Sequence, residues 1–564
     1  MDDKLSRRDF IKTVTVAGIS TTIFGGSTLI NISCVRAPFD TIIKNGNIID
    51  GTGADEVLTD IGIRDGRIIA IGPLDAKDAE RVIDASGLIV TPGFIDIHSH
   101  VDTELFIAPR AESKVRQGVT TEVTGADGSS VAPLGGPELE RTLNNFREEY
   151  GFDCPYRDME GFFTLLEQKG CAQNLVSLIG IGTVREKVVG MDNRPATGDE
   201  MEQMKHEVLR AIEQGCWGAS TGLEYTPGSF ASAQELWEIM KVVPTKYRLY
   251  ATHMRNEDNM LLEAIDEAIT IARNSESSLQ VSHLKASYKV NWSKQAKAIE
   301  MLEEAIASGL NVHADRYPYI AYSTNLSALF PLWAREGGTE KFLDRLKDSN
   351  QRETIKPDVQ NKVDGLGSWK FVLISWVESD PNKIYQGKTV QQISQELNVD
   401  PFEFVVDLML EEETRVGMVG FGMDEAGTEM VLAWKNTMVC SDASSYARSG
   451  PRSKSRPHPR AYGTFPRAIA FYQRDRRITT LPDMIRKMTL LPAQKIGLTD
   501  RGVIAEGKAA DIVIFDYETI QDRATFLEPN QFPVGIPYVM VNGVLVVDSC
   551  LQTDALPGRV LRSS

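Results

Sequence analysis

Short apolar runs alternate with longer amphipathic stretches through the middle of the chain. The amphipathic stretches carry Leu, Ile and Ala at helical spacing with charges on the other face, as at 199–213, 259–273 and 293–307. The apolar runs have the length of buried strands and lie at 94–98, 119–124, 175–181, 217–221, 250–253, 279–283, 311–315 and 438–442. Such alternation is typical of a parallel sheet, and these strands predict an α/β fold with a TIM-type (β/α)8 barrel.

Both ends of the chain carry a different pattern. From 40 to 71, β-prone runs are broken by the turn pairs Asn45-Gly46 and Asp65-Gly66, and a similar run at 511–547 contains Asn542-Gly543. These are hairpin signals. We therefore expect residues 37–90 and 491–564 to form one small β-sandwich built from both chain ends, with the barrel at 91–490 between them.

One connection is much longer than the others, because about 120 residues separate the seventh and eighth predicted strands. This insertion, at about 316–437, contains the aromatic runs YPY (317–319) and FPLW (330–333). It is a lid candidate, since aromatic surface can cover a bound substrate. A small satellite core packed on the barrel is the alternative, and the sequence leaves both open.

The first residues, 1–36, predict an export signal rather than part of the fold. Arg7-Arg8 precedes the mostly apolar and uncharged stretch 13–33, which is the pattern of a Tat signal. The expected partner is the Tat export machinery, and the expected location is the periplasm or cell envelope of a bacterium. Cys34 is a candidate lipid anchor, but Asn31 stands where a lipobox has an aliphatic residue, so an incidental cysteine is the default.

Composition narrows the class of protein. The chain has 564 residues and a net charge of −17, which disfavours nucleic acid as a partner because phosphates are held mainly by Lys and Arg. Its apolar fraction of 42% and charged fraction of 25% are those of an ordinary globular protein. The six cysteines are scattered and form no close pair of the kind that binds structural zinc.

The histidines point to a metal site. His98 and His100 are separated by one residue, so on an extended strand end both side chains face the same side and can share one ion. Alone, such a pair is more often structural. Here His253, His283 and Asp442 also end apolar strands, and the strand ends of a barrel converge on one mouth. Imidazole and carboxylate together predict Zn²⁺ or a similar divalent ion.

At this point the chain resembles the amidohydrolase superfamily and, more closely, its N-acyl-D-amino-acid deacylase (D-aminoacylase) family. The resemblance covers nearly everything after the leader. It rests on the runs GFIDIHSH (93–100), QGVTTEV (117–123), STGLEYTPG (220–228), HMRNE (253–257), SHLK (282–285) and HPRAYGTFPR (458–467).

The resemblance implies metal-dependent hydrolysis of the amide bond of small N-acyl-D-amino acids, with one or two divalent ions, usually zinc. It implies one metal site at His98 and His100, a second at His253 and His283, and Asp442 as a catalytic acid/base that also lies at the metals. It also implies a clamp for the free α-carboxylate of the substrate, formed by Lys285, Tyr317 and Arg460.

One position departs from the family pattern. Where the family has a ligand cysteine in a Gly-x-Cys-Gly turn, this chain has Asp127 in GADG (125–128). A carboxylate is a harder ligand than a thiolate and can bridge two ions. We therefore expect a two-metal or less thiophilic site, and the alternative is that Asp127 only caps the next turn.

Three other functions remain open. A D-dipeptidase or a cyclic-amide hydrolase would use the same barrel, although hydantoinase-like enzymes often carry a bridging lysine on the fourth strand and the run 217–223 has none. An exported, catalytically inactive ligand-binding relative is an alternative from another class, but the chain has all the ligand types and Asp442.

Overall fold

The computed structural model describes residues 37–137, 139–449, 453 and 455–563. The export segment predicted at 1–36, with Cys34, lies outside these residues. Within the described part of the chain, no helix has the length and apolar character needed to cross a membrane.

The strands follow the chain from one terminal region to the other. They are β1 (Phe39–Ile48), β2 (Val57–Arg64), β3 (Arg67–Ile71), β4 (Ala79–Asp84), β5 (Ile89–Pro92), β6 (Phe94–Asp96), β7 (Val119–Thr124), β8 (Asn174–Ser177), β9 (Ile179–Gly180), β10 (Ala219–Gly222), β11 (Leu249–His253), β12 (Ser278–Val281), β13 (Val312–Arg316), β14 (Tyr322–Asn325), β15 (Val372–Val377), β16 (Val416–Gly420), β17 (Thr437–Val439), β18 (Ile512–Phe515), β19 (Tyr538–Val541), β20 (Val544–Asp548) and β21 (Leu551–Gln552).

The α-helices lie mainly between the central strands and in the insertion. They are Glu112–Val115, Leu139–Tyr150, Met159–Lys169, Ile181–Val188, Gly198–Glu213, Ala233–Met240, Leu261–Ser275, Lys294–Ala307, Leu332–Arg335, Gly338–Lys347, Ser349–Leu366, Val390–Leu397, Pro401–Glu411, Glu425–Ala433, Arg460–Arg467, Leu481–Met488 and Leu490–Ile496. A π-helix, Ala468–Asp475, continues the helix that begins at Arg460.

The central strands form two parallel arcs. One arc has the order β6-β7-β8 and the other β9-β10-β11-β12-β13-β17. They contain all eight predicted strands, with the third divided into β8 and β9. At one junction the chain runs from β8 into β9 after one residue, and Trp217 donates to the Ser177 carbonyl (2.9 Å). At the other junction, Asp442 donates to the His98 carbonyl (2.9 Å) and His100 donates to the Ala443 carbonyl (3.3 Å).

The helices between these strands bury one apolar face. Leu261–Ser275 buries positions at helical spacing, including Leu261, Ile265 and Ala268. It begins two residues later than the predicted 259–273, because the Asn256 side chain accepts hydrogen bonds from the N–H groups of Asp258 and Met260 and forms a turn first.

Strands from both chain ends form one nine-stranded sheet. Its order is β21-β20-β19-β18-β5-β1-β2-β3, with β4 also paired to β1. The sheet buries mainly isoleucine side chains, among them Ile43, Ile61 and Ile512. Since β5 continues into β6 after one residue, and Gly93 donates to the Asp511 carbonyl (2.8 Å), this sheet holds the start of the strand that leads to His98.

The insertion has its own small antiparallel sheet, in the order β14-β16-β15. Its helices pack around a separate apolar cluster that includes Leu326, Phe330 and Phe342. The same insertion also lines the central cavity, through side chains such as Tyr322 and Lys362. The insertion therefore has an apolar cluster of its own and also contributes side chains to the wall of the cavity.

Candidate active site

A cavity of about 420 Å³ opens at the carboxyl ends of the central strands. The six residues predicted as metal ligands gather at its floor, where all but the buried His98 line the cavity. His98 Nε2 lies 3.3 Å from Asp127 Oδ1, and His100 Nε2 lies 3.1 Å from Asp442 Oδ1. His253 Nδ1 and His283 Nε2 lie 3.0 Å apart on the other side. Residues from the ends of five different strands thus meet at one place.

Asp127 is at the centre of this group. Its carboxylate oxygens lie 3.3 Å, 3.6 Å, 3.8 Å and 3.6 Å from ring nitrogens of His98, His100, His253 and His283, respectively. The carboxylate therefore faces the four histidines and is placed to bridge the two pairs.

The turn after β7 places Asp127 by close packing. A Cβ on Gly125 would lie 2.1 Å from the Leu178 carbonyl oxygen, and one on Gly128 would lie 2.5 Å from the Gly222 nitrogen. Both glycines also have positive φ, as does Asp127 itself (φ 52°). Only glycine fits at the two flanking positions, so the sequence GADG allows the turn to reach the neighbouring strands.

The donor atoms fit a metal centre. Two groups of possible ligands share Asp127, and within each group the ligand atoms lie within 4.8 Å of one another: His98, His100, Asp127 and Asp442; and Asp127, His253 and His283. His98 Nε2 and Asp127 Oδ1 are buried and have no hydrogen-bond partner among the described residues. Buried polar atoms without partners are costly, so these atoms are suited to a divalent cation between them.

Three further carboxylates orient the histidines, and the sequence analysis missed them. Asp315 Oδ1 lies 3.3 Å from His98 Nδ1, Glu257 Oε1 lies 2.8 Å from His283 Nδ1, and Glu224 Oε2 lies 3.3 Å from His253 Nε2. In each histidine, one ring nitrogen faces a carboxylate and the other faces Asp127. A carboxylate behind a metal-binding imidazole sets its tautomer and ring orientation. Asp315 ends a predicted strand, and Glu224 and Glu257 lie in the runs STGLEYTPG (220–228) and HMRNE (253–257). However, sequence spacing does not show that each of these carboxylates contacts a histidine.

The carboxylates control the charge of the histidines. Burial alone would lower the pKa of His100, but the Asp127 and Asp442 carboxylates outweigh burial and raise it to about 9. Likewise, burial opposes but Glu257, Asp127 and Glu224 raise the pKa of His253 to about 10. The site therefore stabilises positive charge at its floor.

The backbone is strained where the functional side chains leave their strands. His283 has φ 33° and Asp442 has φ 49°, in addition to Asp127. Residues other than glycine rarely adopt positive φ, and such conformations persist only where the surrounding structure fixes them.

All three predicted substrate-binding residues line the cavity. Arg460 donates from Nη1 to Asp442 Oδ2 (2.7 Å), and its guanidinium carbon lies 4.7 Å from the Tyr317 ring centre. The Tyr317 hydroxyl is buried and has no hydrogen-bond partner among the described residues. Lys285 pairs closely with Glu257 and lies 2.9 Å from His283 Nδ1, so its charge is already engaged.

Comparison with known proteins shows that the chain is similar to amidohydrolases. The family model described as "Amidohydrolase family" matches residues 81–147 and 451–547. The D-aminoacylase of Alcaligenes xylosoxydans xylosoxydans is 32% identical over 524 residues, which cover 93% of this chain and 98% of that protein.

Two solved structures agree with this assignment. The N-acyl-D-glutamate deacylase from Bordetella bronchiseptica, complexed with zinc and a phosphonate mimic of the tetrahedral intermediate, has a TM-score of 0.78 and 32% identity, covering 93% of this chain and 100% of that chain. A structure of a D-aminoacylase, solved to study the functional role of its binuclear metal centre, has a TM-score of 0.77 and 33% identity. It covers 93% of this chain and 100% of that chain. The chain therefore belongs to the N-acyl-D-amino-acid deacylase (D-aminoacylase) family of amidohydrolases.

Proposed function

We propose that this protein is a zinc-dependent hydrolase that cleaves the amide bond of N-acyl-D-amino acids and releases a carboxylate and a free D-amino acid. The observation that carries the proposal is Asp127 among four strand-end histidines, with Asp442 within reach of His100. The names of the similar proteins support the substrate class and the D configuration.

His98, His100 and Asp442 would hold one ion, His253 and His283 the other, and Asp127 would bridge the two. When bound, zinc supplies Lewis acidity and lowers the pKa of a water from near 16 to about 7. The chain's own residues must then hold the substrate amide over this floor and move one proton.

Asp442 is the group that we assign to the proton transfer. Burial would raise its pKa, but Arg460, His98 and His100 hold it well below its ordinary value, so the carboxylate is ionised and can accept a proton from the attacking water. The same carboxylate can then deliver this proton to the leaving nitrogen of the amide. Asp442→Asn is expected to fold and bind zinc but to lose turnover.

Tyr317 and Arg460 are placed to bind the α-carboxylate of the substrate. The Tyr317 hydroxyl is an unused donor. Arg460 donates from Nη1 to Asp442 and from Nη2 to the Ser323 carbonyl (3.3 Å), but its buried Nε has no hydrogen-bond partner among the described residues, so Arg460 keeps one N–H and its positive charge for the substrate carboxylate. Lys285 is paired with Glu257, which in turn contacts His283 Nδ1. We therefore assign Lys285 to orienting Glu257 and, through Glu257, His283. Lys285 also adds positive charge near Tyr317 and Arg460.

We also propose that the two parallel arcs close into a (β/α)8 barrel and that the terminal sheet folds into the small β-sandwich. The hydrogen bonds from Trp217 to Ser177, from Asp442 to His98 and from His100 to Ala443 support closure, since each joins an end of one arc to the other. The insertion would then cover the barrel mouth as a lid, because its Tyr322, Leu329 and Met418 line the cavity.

A substrate screen tests the function. N-acetyl and N-formyl amino acids, as paired D and L enantiomers, are incubated with zinc-loaded protein, and the free amino acid is quantified; Asp442→Asn is the control for contaminating activity. D-selective release, lost in Asp442→Asn, supports the proposal. Cleavage of D-dipeptides or hydantoins alone, or binding without hydrolysis, would replace it with one of the other functions.

We further propose export through the Tat pathway to the periplasm or cell envelope. The support is the sequence alone, Arg7-Arg8 before the apolar stretch 13–33. Replacing both arginines with lysine is expected to retain the protein in the cytoplasm, as measured by cell fractionation. Fractionation of the Cys34→Ala variant tests the lipid anchor separately. If Cys34 is lipidated, the variant should no longer be found in the membrane fraction.

A further inference from the structure

A fully buried lysine lies directly beneath the proposed metal centre. Lys114, on the short helix Glu112–Val115, is 0% exposed. Its Nζ lies 2.7 Å from Asp96 Oδ2, 2.5 Å from Ser441 Oγ, 3.3 Å from Ser99 Oγ and 3.4 Å from Glu122 Oε2. None of these side chains belongs to the ligand groups of the cavity floor.

These partners adjoin the functional residues in sequence. Asp96 precedes His98 by two residues, Ser99 lies between His98 and His100, and Ser441 precedes Asp442. In addition, Asp96 Oδ1 accepts the backbone N–H of Ser441 (2.9 Å). The Lys114–Asp96 pair therefore holds Ser441 by both its side chain and its backbone.

The contacts lie at the junction between β17 and β6, where the described strands have no ladder between them. Asp442 has a positive φ of 49° at this point, and its N–H donates to the His98 carbonyl. A strained residue keeps its conformation only where its surroundings determine it. Contacts of Ala443 and Ser444 with the His100 backbone also cross the junction, but the cluster around Lys114 is the charged group that contacts both sides of it.

We propose that Lys114 is a positioning residue, which holds the Ser441–Asp442 turn in place against the His98–His100 strand and so fixes the Asp442 carboxylate relative to the two histidines. The inference rests on the proposed function in so far as Asp442 is the proton-transfer group.

The charges of the cluster agree with a positioning role. Burial, partly opposed by Lys114, raises the pKa of Glu122 to about 8, so Glu122 keeps its proton at neutral pH. The close ion pair of the cluster is the one between Lys114 Nζ and Asp96 Oδ2 (2.7 Å). A buried ion pair adds little to stability, and an apolar replacement of similar volume is often tolerated. A lysine here is thus better explained by the geometry it imposes than by the stability it adds.

The test is the double variant Lys114→Met/Asp96→Asn, which removes the ion pair without leaving an unpaired charge. The asparagine can still accept the N–H of Ser441. At saturating metal we expect kcat to fall by about 10–100-fold, as for other residues that orient active-site groups, with KM within about twofold. The spectrum and affinity of bound Co²⁺ should also change, because Asp442 shifts relative to His98 and His100.

The matched control is Lys495→Met, which removes another buried lysine. Lys495 lies at the opposite ends of the strands, where Nζ donates to Ser278 Oγ (2.6 Å) and the Leu279 carbonyl (2.7 Å). Its loss should reduce the unfolding temperature without changing kcat or the Co²⁺ spectrum. An equal loss of kcat in both variants, or an unchanged kcat in the double variant, overturns the proposal.

Two further measurements keep the test decisive. If the double variant does not fold, Ser441→Ala is used instead, because it removes only the contact of Lys114 with the turn. A fall in kcat smaller than the roughly 10–100-fold expected for the double variant, at constant KM, supports the proposal. An unchanged kcat overturns it. If the wild-type protein hydrolyses no N-acyl amino acid, the proposed function fails, but the Co²⁺ spectrum still decides: a shift in the variants supports positioning, and identical spectra overturn it.

Discussion

The Asp315 carboxylate lies 3.3 Å from His98 Nδ1, on the side of the ring that faces away from Asp127. The same carboxylate accepts hydrogen bonds from Gln280 Nε2 (2.6 Å) and the backbone N–H of His283 (2.7 Å). Asp315 is thus connected to both histidine pairs, although it faces neither proposed ion. It directs His98 Nε2 into the cavity floor and holds the strained start of the His283 loop.

We expect Asp315→Asn to weaken zinc binding by about 10–100-fold, because the amide lacks the charge that makes the imidazole a better ligand. Competition with a chromophoric chelator measures the change. The control is Asp258→Asn, which changes an acid that lines the cavity and whose side-chain oxygen accepts the N–H of Asn259. Equal losses in the two variants would contradict an orienting role for Asp315.

Replacing Asp127 with cysteine tests the departure from the family pattern. Asp127 lies within 3.8 Å of all four histidines, so we expect the wild-type protein to take up two ions at saturation. Asp127→Cys should raise the affinity for Zn²⁺ relative to Mn²⁺, because a thiolate prefers the softer ion. Metal counting and paired affinity measurements check both expectations.

Asp127→Asn is the control, since it keeps the shape but loses the charge and should weaken both metals alike. One tightly held zinc ion in the wild type, with no second ion at saturation, would falsify the two-metal interpretation. An unchanged ratio of Zn²⁺ to Mn²⁺ affinity in Asp127→Cys would show that Asp127 is not a ligand.

Tyr317→Phe tests recognition of the α-carboxylate. A hydrogen bond to a charged group contributes about 1.5–3 kcal/mol, so KM for an N-acyl amino acid should rise by roughly 10–100-fold while kcat changes little. The corresponding N-acyl amino-acid amide, which has no carboxylate, should be much less affected. Tyr225→Phe is the control, because the Tyr225 hydroxyl already has a partner in Thr324 (3.3 Å). A similar rise in KM for the acid and the amide would remove Tyr317 from the clamp.

The strands and helices that follow a periodic pattern of apolar residues could be predicted from the sequence. Each of the eight central strands was placed from its apolar run, and helices were found where apolar residues recur at helical spacing. The start of Leu261–Ser275 was missed by two residues, because the side chain of Asn256 forms a local turn. Such a contact depends on one side chain and leaves no periodic signal.

From the residues alone, the site could be predicted only where a histidine or aspartate ends a strand, whereas Asp127, Lys285, Tyr317 and Arg460 were expected from the family resemblance. His253, His283 and Asp442 meet this condition, and the structure brings them together with His98 and His100. Asp315 also ends a predicted strand, but nothing in the sequence shows that its carboxylate contacts His98, which lies 217 positions away, rather than a metal or solvent. Lys114 was missed because it lies on a short helix away from the predicted strand ends. Nothing in the sequence shows that it contacts Asp96 and Ser441.

Glu122 makes stability depend on pH in an unusual direction. Burial raises its pKa from 4.5 to about 8, so the folded protein keeps a proton that the unfolded chain has released between these values. Stability should therefore fall as the pH rises through this window, with a slope no steeper than about 1.4 kcal/mol per pH unit for one proton. Glu122→Gln stays neutral at every pH and should lose this dependence.

Urea unfolding of metal-free protein between pH 5 and pH 9 measures the effect without a contribution from metal binding. The variant should gain stability over the wild type as the pH increases and show little gain at the acidic end, where Glu122 is protonated in both states. Glu276→Gln is the control, because the Glu276 side chain is 83% exposed and its replacement should leave the pH dependence unchanged. Parallel curves for Glu122→Gln and the wild type would mean that Glu122 is ionised in the folded protein, with Lys114 shared between two charged carboxylates.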